Sequence, residues 1–125
     1  MTANRTIRIT VGRVCLMAEL NASRTAEAIL RALPIEGSGN RWGDEIYFGI
    51  PVVAEEEDTK EVVAVGDLAY WPPGRACCIF FGPTPASHGE EIRPASPVNI
   101  VGRVSDDATR LRQTRDGELV RIELA

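Results

Sequence analysis

The sequence predicts a mainly β domain in which many short strands close into a barrel and two short helices lie against it. Three observations predict this. Short runs alternate apolar and polar side chains, the period of a half-buried strand. Glycine, proline and Asn/Asp clusters punctuate these runs, and only one stretch carries strong helical spacing. Closure follows because it removes the strand edges that would otherwise invite aggregation. A chain of 125 residues, 44% hydrophobic and 26% charged, has the size and composition of one folded domain, spanning residues 1–125.

The elements follow in order. Ile7, Ile9 and Val11 share one face of a first strand, with Arg8 and Thr10 on the other. Gly12-Arg13 turns it back into a second strand, where Val14, Leu16, Ala18 and Leu20 share a face, so the two form a hairpin. Ser23 is the N-cap candidate of the best helix: Ala26, Ile29, Leu30 and Leu33 fall at i, i+3, i+4 and i+7, and Pro34 ends it. Gly37-Ser38-Gly39-Asn40 reads as a flexible corner. Beyond it, Ile46, Phe48 and Ile50 face a core while Glu45 and Tyr47 face away. The acidic run Glu55-Glu56-Glu57-Asp58 reads as a solvated loop, since like charges at this density avoid burial.

Val62–Val65 reads as a short strand, followed by the densest strand-turn-strand signal of the chain, Gly66–Pro85. In it Tyr70-Trp71 runs into the rigid turn Pro72-Pro73-Gly74, and Ala76–Phe81 runs into Gly82-Pro83-Thr84-Pro85. A proline-stiffened loop then carries the only histidine, His88. Val98–Val104 forms a further strand, in which Gly102 marks a bulge or a close backbone approach. Ser105 caps a short, weak second helix reaching Leu111, and Asp116-Gly117 turns into a last strand of alternating Val120, Ile122 and Leu124.

Charge and composition exclude several partners. A net charge of −4 offers no long-range attraction to a phosphate backbone, so nucleic acid is not an expected partner. No apolar run approaches the ~20 residues of a spanning helix, and Met1-Thr2-Ala3-Asn4-Arg5 leads into a strand rather than a signal-peptide core, so no membrane association and a cytoplasmic location are expected. The three cysteines read as reduced core residues. Cys77 and Cys78 face opposite ways on a strand and cannot both ligate one metal, so neither a metal nor a cofactor is expected. The sequence leaves oligomeric state open and is compatible with a homodimer through an exposed strand or patch.

Three motifs carry a resemblance: Trp42-Gly43-Asp44-Glu45-Ile46-Tyr47-Phe48, then Gly66–Gly74 with Tyr70-Trp71-Pro72-Pro73, then Phe80-Phe81-Gly82-Pro83-Thr84-Pro85. With Pro94-Ala95-Ser96-Pro97-Val98-Asn99 and the order of elements, the chain resembles, over nearly its whole length, the small prokaryotic cyclophilin-like proteins of unassigned function. The resemblance implies a closed or nearly closed barrel of about eight strands with two helices. Fold alone transfers no activity.

Three functions follow as expectations. The first is a pocket for a small molecule or short peptide, with Trp42, Tyr47, Tyr70, Trp71 and Phe81 as flat walls and Glu45, Arg75, Thr84, Ser87 and His88 as orienting groups. Core packing is the competing reading for each aromatic. Glu45 is either exposed beside Tyr47 or buried with a partner, and His88 is either exposed or a general base. The second is peptidyl-prolyl isomerisation, which needs an arginine beside an apolar pocket. Arg41, Arg75 and Arg93 are near aromatics, yet none sits in the Phe-His-Arg type of segment that true cyclophilins carry. The third is a non-enzymatic interaction module, which needs a flat apolar patch or an open edge strand instead of a cavity.

Overall fold

The structure, a computed structural model, describes residues 4–125. It holds nine strands: β1 (Thr6–Val11), β2 (Val14–Leu20), β3 (Ile35–Ser38), β4 (Asn40–Arg41), β5 (Glu45–Gly49), β6 (Asp67–Trp71), β7 (Ala76–Phe80), β8 (Asn99–Val104) and β9 (Leu119–Leu124). They form one antiparallel sheet in the order β3-β9-β1-β2-β8-β6-β7-β5-β4. The two ends of that order, β3 and β4, are halves of one stretch of chain joined at Gly39, so the sheet curls into a nearly closed barrel.

This closure corrects two expectations. The strands number nine rather than about eight, and Gly37–Asn40 is no flexible corner but the seam. Its glycines are there for space: a Cβ on Gly37 would stand 2.9 Å from the Phe48 ring, and one on Gly39 2.9 Å from the Val120 side chain. A sheet that must close tightly brings backbone against side chain, and only glycine permits it. Val62–Val65, in contrast, forms no strand. It is tied down by the isolated bridges Lys60↔Val98 and Val63↔Ile92.

The helix α1 (Arg24–Ala32) starts at Ser23, whose hydroxyl accepts from the Ala26 N–H, and ends before Pro34. Glu57 of the acidic run reaches this same terminus, so that run is not wholly solvated. Its carboxylate accepts from the Arg24 and Thr25 N–H groups and the Thr25 hydroxyl, and the bonds from Thr25 above all hold its pKa below the usual range. Buried Asn99 of β8 locks the arrangement, accepting from the Glu57 N–H at 2.8 Å and donating to Thr25 Oγ1 and the Glu55 carbonyl. The second helix is a 3₁₀ turn, Ala108–Gln113, capped by Asp107 rather than Ser105.

The barrel interior holds the main core, to which β5 contributes Ile46 and Phe48, β7 Cys77 and Ile79, β6 Leu68 and Tyr70, and β8 Val101. Tyr70 is fully buried there, its hydroxyl donating to the Val52 carbonyl at 2.7 Å and accepting from the Ala54 N–H. A second apolar cluster lies on the opposite, outer face of the same four strands. It joins Ala69, Cys78 and Phe80 to Val63, Ile92 and Val98 of the covering loops, with Tyr47, Trp71 and Ile100 half-buried at its margin. Both faces of β7 are therefore covered, and every one of its residues is buried. Cys77 and Cys78 are core residues as expected, but Cys15 is exposed on the outer face of β2. The glycine at 102 marks a close approach, since a Cβ there would lie 2.3 Å from the Glu19 carbonyl oxygen. No helix among the described residues is long and apolar enough to cross a membrane.

Candidate functional site

Strand alternation decides which side chains reach the outer face. On β5 it places Glu45 and Tyr47 there. The antiparallel register then sets Cys78 opposite Tyr47 and Phe80 opposite Glu45, with Ala69 and Trp71 continuing the face on β6. Loop residues 83–98 fold over this surface. Between sheet and loop lies a cavity of about 250 Å³, lined by Trp42, Glu45, Tyr47, Trp71, Cys78, Pro94, Ala95 and Val98.

Each wall is held by local structure. Trp42 and Glu45 exchange backbone hydrogen bonds around Gly43-Asp44, and Gly43 sits at φ +60°, the glycine-first arrangement of a type II′ hairpin turn. A Cβ on Gly43 would also meet Pro85 Cδ at 2.8 Å, so the turn packs on the Pro83–Pro85 corner. Arg41 secures it from behind. Its guanidinium donates to the Gly43 and Thr114 carbonyls and to Asp44, and lies 4.9 Å from the centre of the Phe81 ring. On the opposite wall the chain turns back at Pro72–Gly74, so closely that a Cβ on Gly74 would stand 2.5 Å from the Trp71 indole. Only a residue without a side chain can pack there, which explains a glycine so soon after Trp71. The indole Nε1 donates to Ser96 Oγ at 2.6 Å, fastening β6 to the covering loop.

Glu45 is the unusual member. It is 5% exposed, and its Oε1 is the one buried side-chain oxygen or nitrogen among the described residues with no hydrogen-bond partner. Desolvation pushes its pKa up to about 7, against a smaller lowering by the Cys78 thiol. Burial likewise drives the Cys78 thiol well above its usual range, with the Glu45 charge adding to the effect. That thiol is thus a packing surface with a weak donor, not a nucleophile.

Of the ten candidates, the structure brings Trp42, Glu45, Tyr47 and Trp71 together around one space. Tyr70 and Phe81 belong instead to the interior core. Arg75 is exposed in a left-handed conformation just after the Pro72–Gly74 turn, and His88 is exposed on its loop. Thr84 and Ser87 form a hub behind the wall: Thr84 Oγ1 donates to the Arg93 carbonyl, and Ser87 Oγ accepts from the Thr84 and Arg93 N–H groups. These bonds place Pro94 and Ala95 over the cavity, so Thr84 and Ser87 shape the site without lining it. Arg93 is engaged with Glu91, and neither it nor Arg41 or Arg75 lines the cavity.

A family model described as cyclophilin-like matches residues 5–123. The chain belongs to the cyclophilin-like family. The solution structure of a hypothetical protein from Archaeoglobus fulgidus is similar throughout, at 44% sequence identity over 100% of this chain and 98% of that one, with a TM-score of 0.83. No curated protein matches.

Sequence reasoning about this cyclophilin-like barrel missed Cys78, Pro94, Ala95 and Val98. Cys78 was within reach, because alternation separates it from Cys77 and leaves it on the face of Tyr47. The other three depend on how a non-periodic loop folds back, which no local pattern reports. The finished site presents three aromatic rings, an apolar floor and one desolvated carboxyl group. Such an arrangement can enclose one flat apolar group and exchange a single hydrogen bond or proton with it. Among the described residues, no group of His, Cys, Asp and Glu is arranged to hold a metal ion.

Proposed function

We propose that this protein binds a small molecule, or a short peptide presenting one side chain, in the outer-face cavity. The observation that carries this reading is Glu45 Oε1, a buried oxygen without a partner at the edge of a preformed space. An unmet buried acceptor costs about 1–3 kcal/mol, and folding gains nothing from keeping it. A ligand donor placed there would recover that cost. The volume, about 250 Å³, corresponds to roughly eight molecules of water at ~30 Å³ each, which suits a single ring or a compact branched group. An isomerase would instead need an arginine at the cavity: Arg41 and Arg93 are engaged with other partners, Arg75 is exposed, and none of the three lines the space.

The test is an unbiased fragment screen by NMR, reading the indole N–H signals of Trp42 and Trp71, together with mass spectrometry of small molecules that co-purify with the protein. Fragments that shift both signals, and lose their effect in Glu45→Gln, support the reading. A screen in which hits move neither signal refutes it.

A further inference from the structure

Around the cavity, charge is distributed one way only. Its single ionisable acid is Glu45, its rings are those of Trp42, Tyr47 and Trp71, and its remaining lining is Cys78, Pro94, Ala95 and Val98. Among the described residues, no lysine, arginine or histidine lines it. Aromatic faces carry negative electrostatic potential and attract cations, most strongly where water is excluded. The net charge of −4 acts in the same sense at long range. An anion would meet only neutral donors, the Trp42 indole N–H, the Tyr47 hydroxyl and a raised-pKa thiol, with no cation to balance its charge and the Glu45 carboxyl beside it, and a neutral apolar group would leave Glu45 Oε1 as it found it.

Resting on the binding role proposed above, we infer that the cavity selects organic cations, with the cationic head enclosed by Trp42, Tyr47 and Trp71 and set against Glu45 Oε1. The groups facing Glu45 leave this role to the ligand. The Cys78 thiol comes from β7 and Tyr47 from its own strand, while Pro94, Ala95 and Val98 of the covering loop carry no charge. The neighbouring Asp44 is paired with Arg41 and Arg112, and Arg93 of the loop with Glu91.

A cation binds the ionised form of Glu45, so the carboxyl proton passes to bulk water when the site fills. With the empty-site pKa at about 7, roughly a tenth of the sites are ionised at pH 6 and roughly nine tenths at pH 8. Apparent affinity for a permanent cation should therefore rise about tenfold between those values and level off above them.

Three probes of nearly the same shape separate the possibilities: choline, its uncharged isostere 3,3-dimethylbutan-1-ol, and the anion 3,3-dimethylbutanoate. Titrations follow the Trp42 and Trp71 indole N–H signals at pH 6 and pH 8. Choline should bind at least tenfold tighter than the alcohol at pH 8, gain about tenfold from pH 6 to pH 8, and outbind the carboxylate throughout. In Glu45→Gln the choline-to-alcohol ratio should fall towards one and the pH dependence should vanish. Wild-type pH dependence carries the test even if that variant folds poorly. If the alcohol or the carboxylate binds as tightly as choline at pH 8, cation selection is wrong while the pocket reading stands. If neither these probes nor a neutral fragment set moves the two indole signals, the pocket reading itself falls, and this inference with it.

Discussion

The inner and outer faces of the β5-β7-β6-β8 region are made from alternate residues of the same strands, yet they are finished differently. Inside, Ile46, Phe48, Leu68 and Ile79 pack against the rest of the barrel, and the polar tips are satisfied: the Tyr70 hydroxyl makes two hydrogen bonds and the Asn99 amide three. Outside, Phe80 and Ala69 are as buried as anything in the interior, but Glu45 keeps an oxygen without a partner and a cavity stands open beside it. Burial, then, does not distinguish the two faces. Completion does: the inner face is accounted for by folding, while the outer one holds a group whose burial works against folding.

Substitutions on neighbouring residues of β5 probe this contrast most strongly. Phe48→Ala should cost about 3–5 kcal/mol in urea unfolding, because Phe48 is fully enclosed and its removal leaves a cavity. Tyr47→Ala, one residue away on the other face, should cost only about 1–2 kcal/mol, since its ring already borders open space. Equal losses would mean that Tyr47 is an ordinary core residue and would erase the distinction.

Next in size is the pH dependence contributed by Glu45. Its folded-state pKa is raised from 4.5 to about 7, so between those values the folded protein holds a proton that the unfolded chain has released. Stability from this group therefore falls as pH rises through that window and is flat above it, by an amount on the order of 3 kcal/mol. Glu45→Gln removes the titration. Measured at pH 4 and pH 8, the variant should gain about that much relative to wild type at the higher pH, the other carboxylates cancelling in the difference. A difference that does not change with pH would show that Glu45 is solvated or partnered, and the outer face would then be as complete as the inner.

How far these faces were legible in sequence follows from the same contrast. Periodicity places Ile46, Phe48, Cys77 and Ile79 inside and Glu45 and Tyr47 outside, because alternation is a property of each strand alone. It does not reveal that the outside is covered, since covering depends on the loops that hold Val63, Ile92 and Val98. Tyr70 and Phe81 share the turn-bounded motifs with Trp71 and so read as walls of one pocket, yet one is on the opposite face of its strand and the other beneath Arg41. The glycines of the seam read as flexibility, although at Gly37 and Gly39 they serve close contact, a cause that local sequence cannot separate from a turn. Glu45 was weighed as exposed or partnered. It is buried with the Cys78 thiol as a weak partner, while its Oε1 has none, because its environment comes from β7 and from the 83–98 loop, far away in sequence.

The smallest expected effect tests whether the cover itself belongs to the outer face as a fixed wall. Trp71 Nε1 to Ser96 Oγ is a direct side-chain bond between the sheet and the loop that carries Pro94, Ala95 and Val98. Ser96→Ala should cost about 1 kcal/mol in global stability, the net worth of one partly buried hydrogen bond. Its local effect should be clearer. Amide exchange in residues 92–98 should speed up while that in β1 and β2 stays as it was, because the bond fastens the cover and not the barrel. The bridges at Lys60↔Val98 and Val63↔Ile92 and the Thr84–Ser87 hub still hold both ends of the segment, so loosening should be confined to its middle, around Ala95 and Ser96 over the cavity. If exchange accelerates equally across β6 and β8, the loop and the sheet open as one unit. The outer face would then be a continuation of the core, with its cavity an incidental gap in the packing.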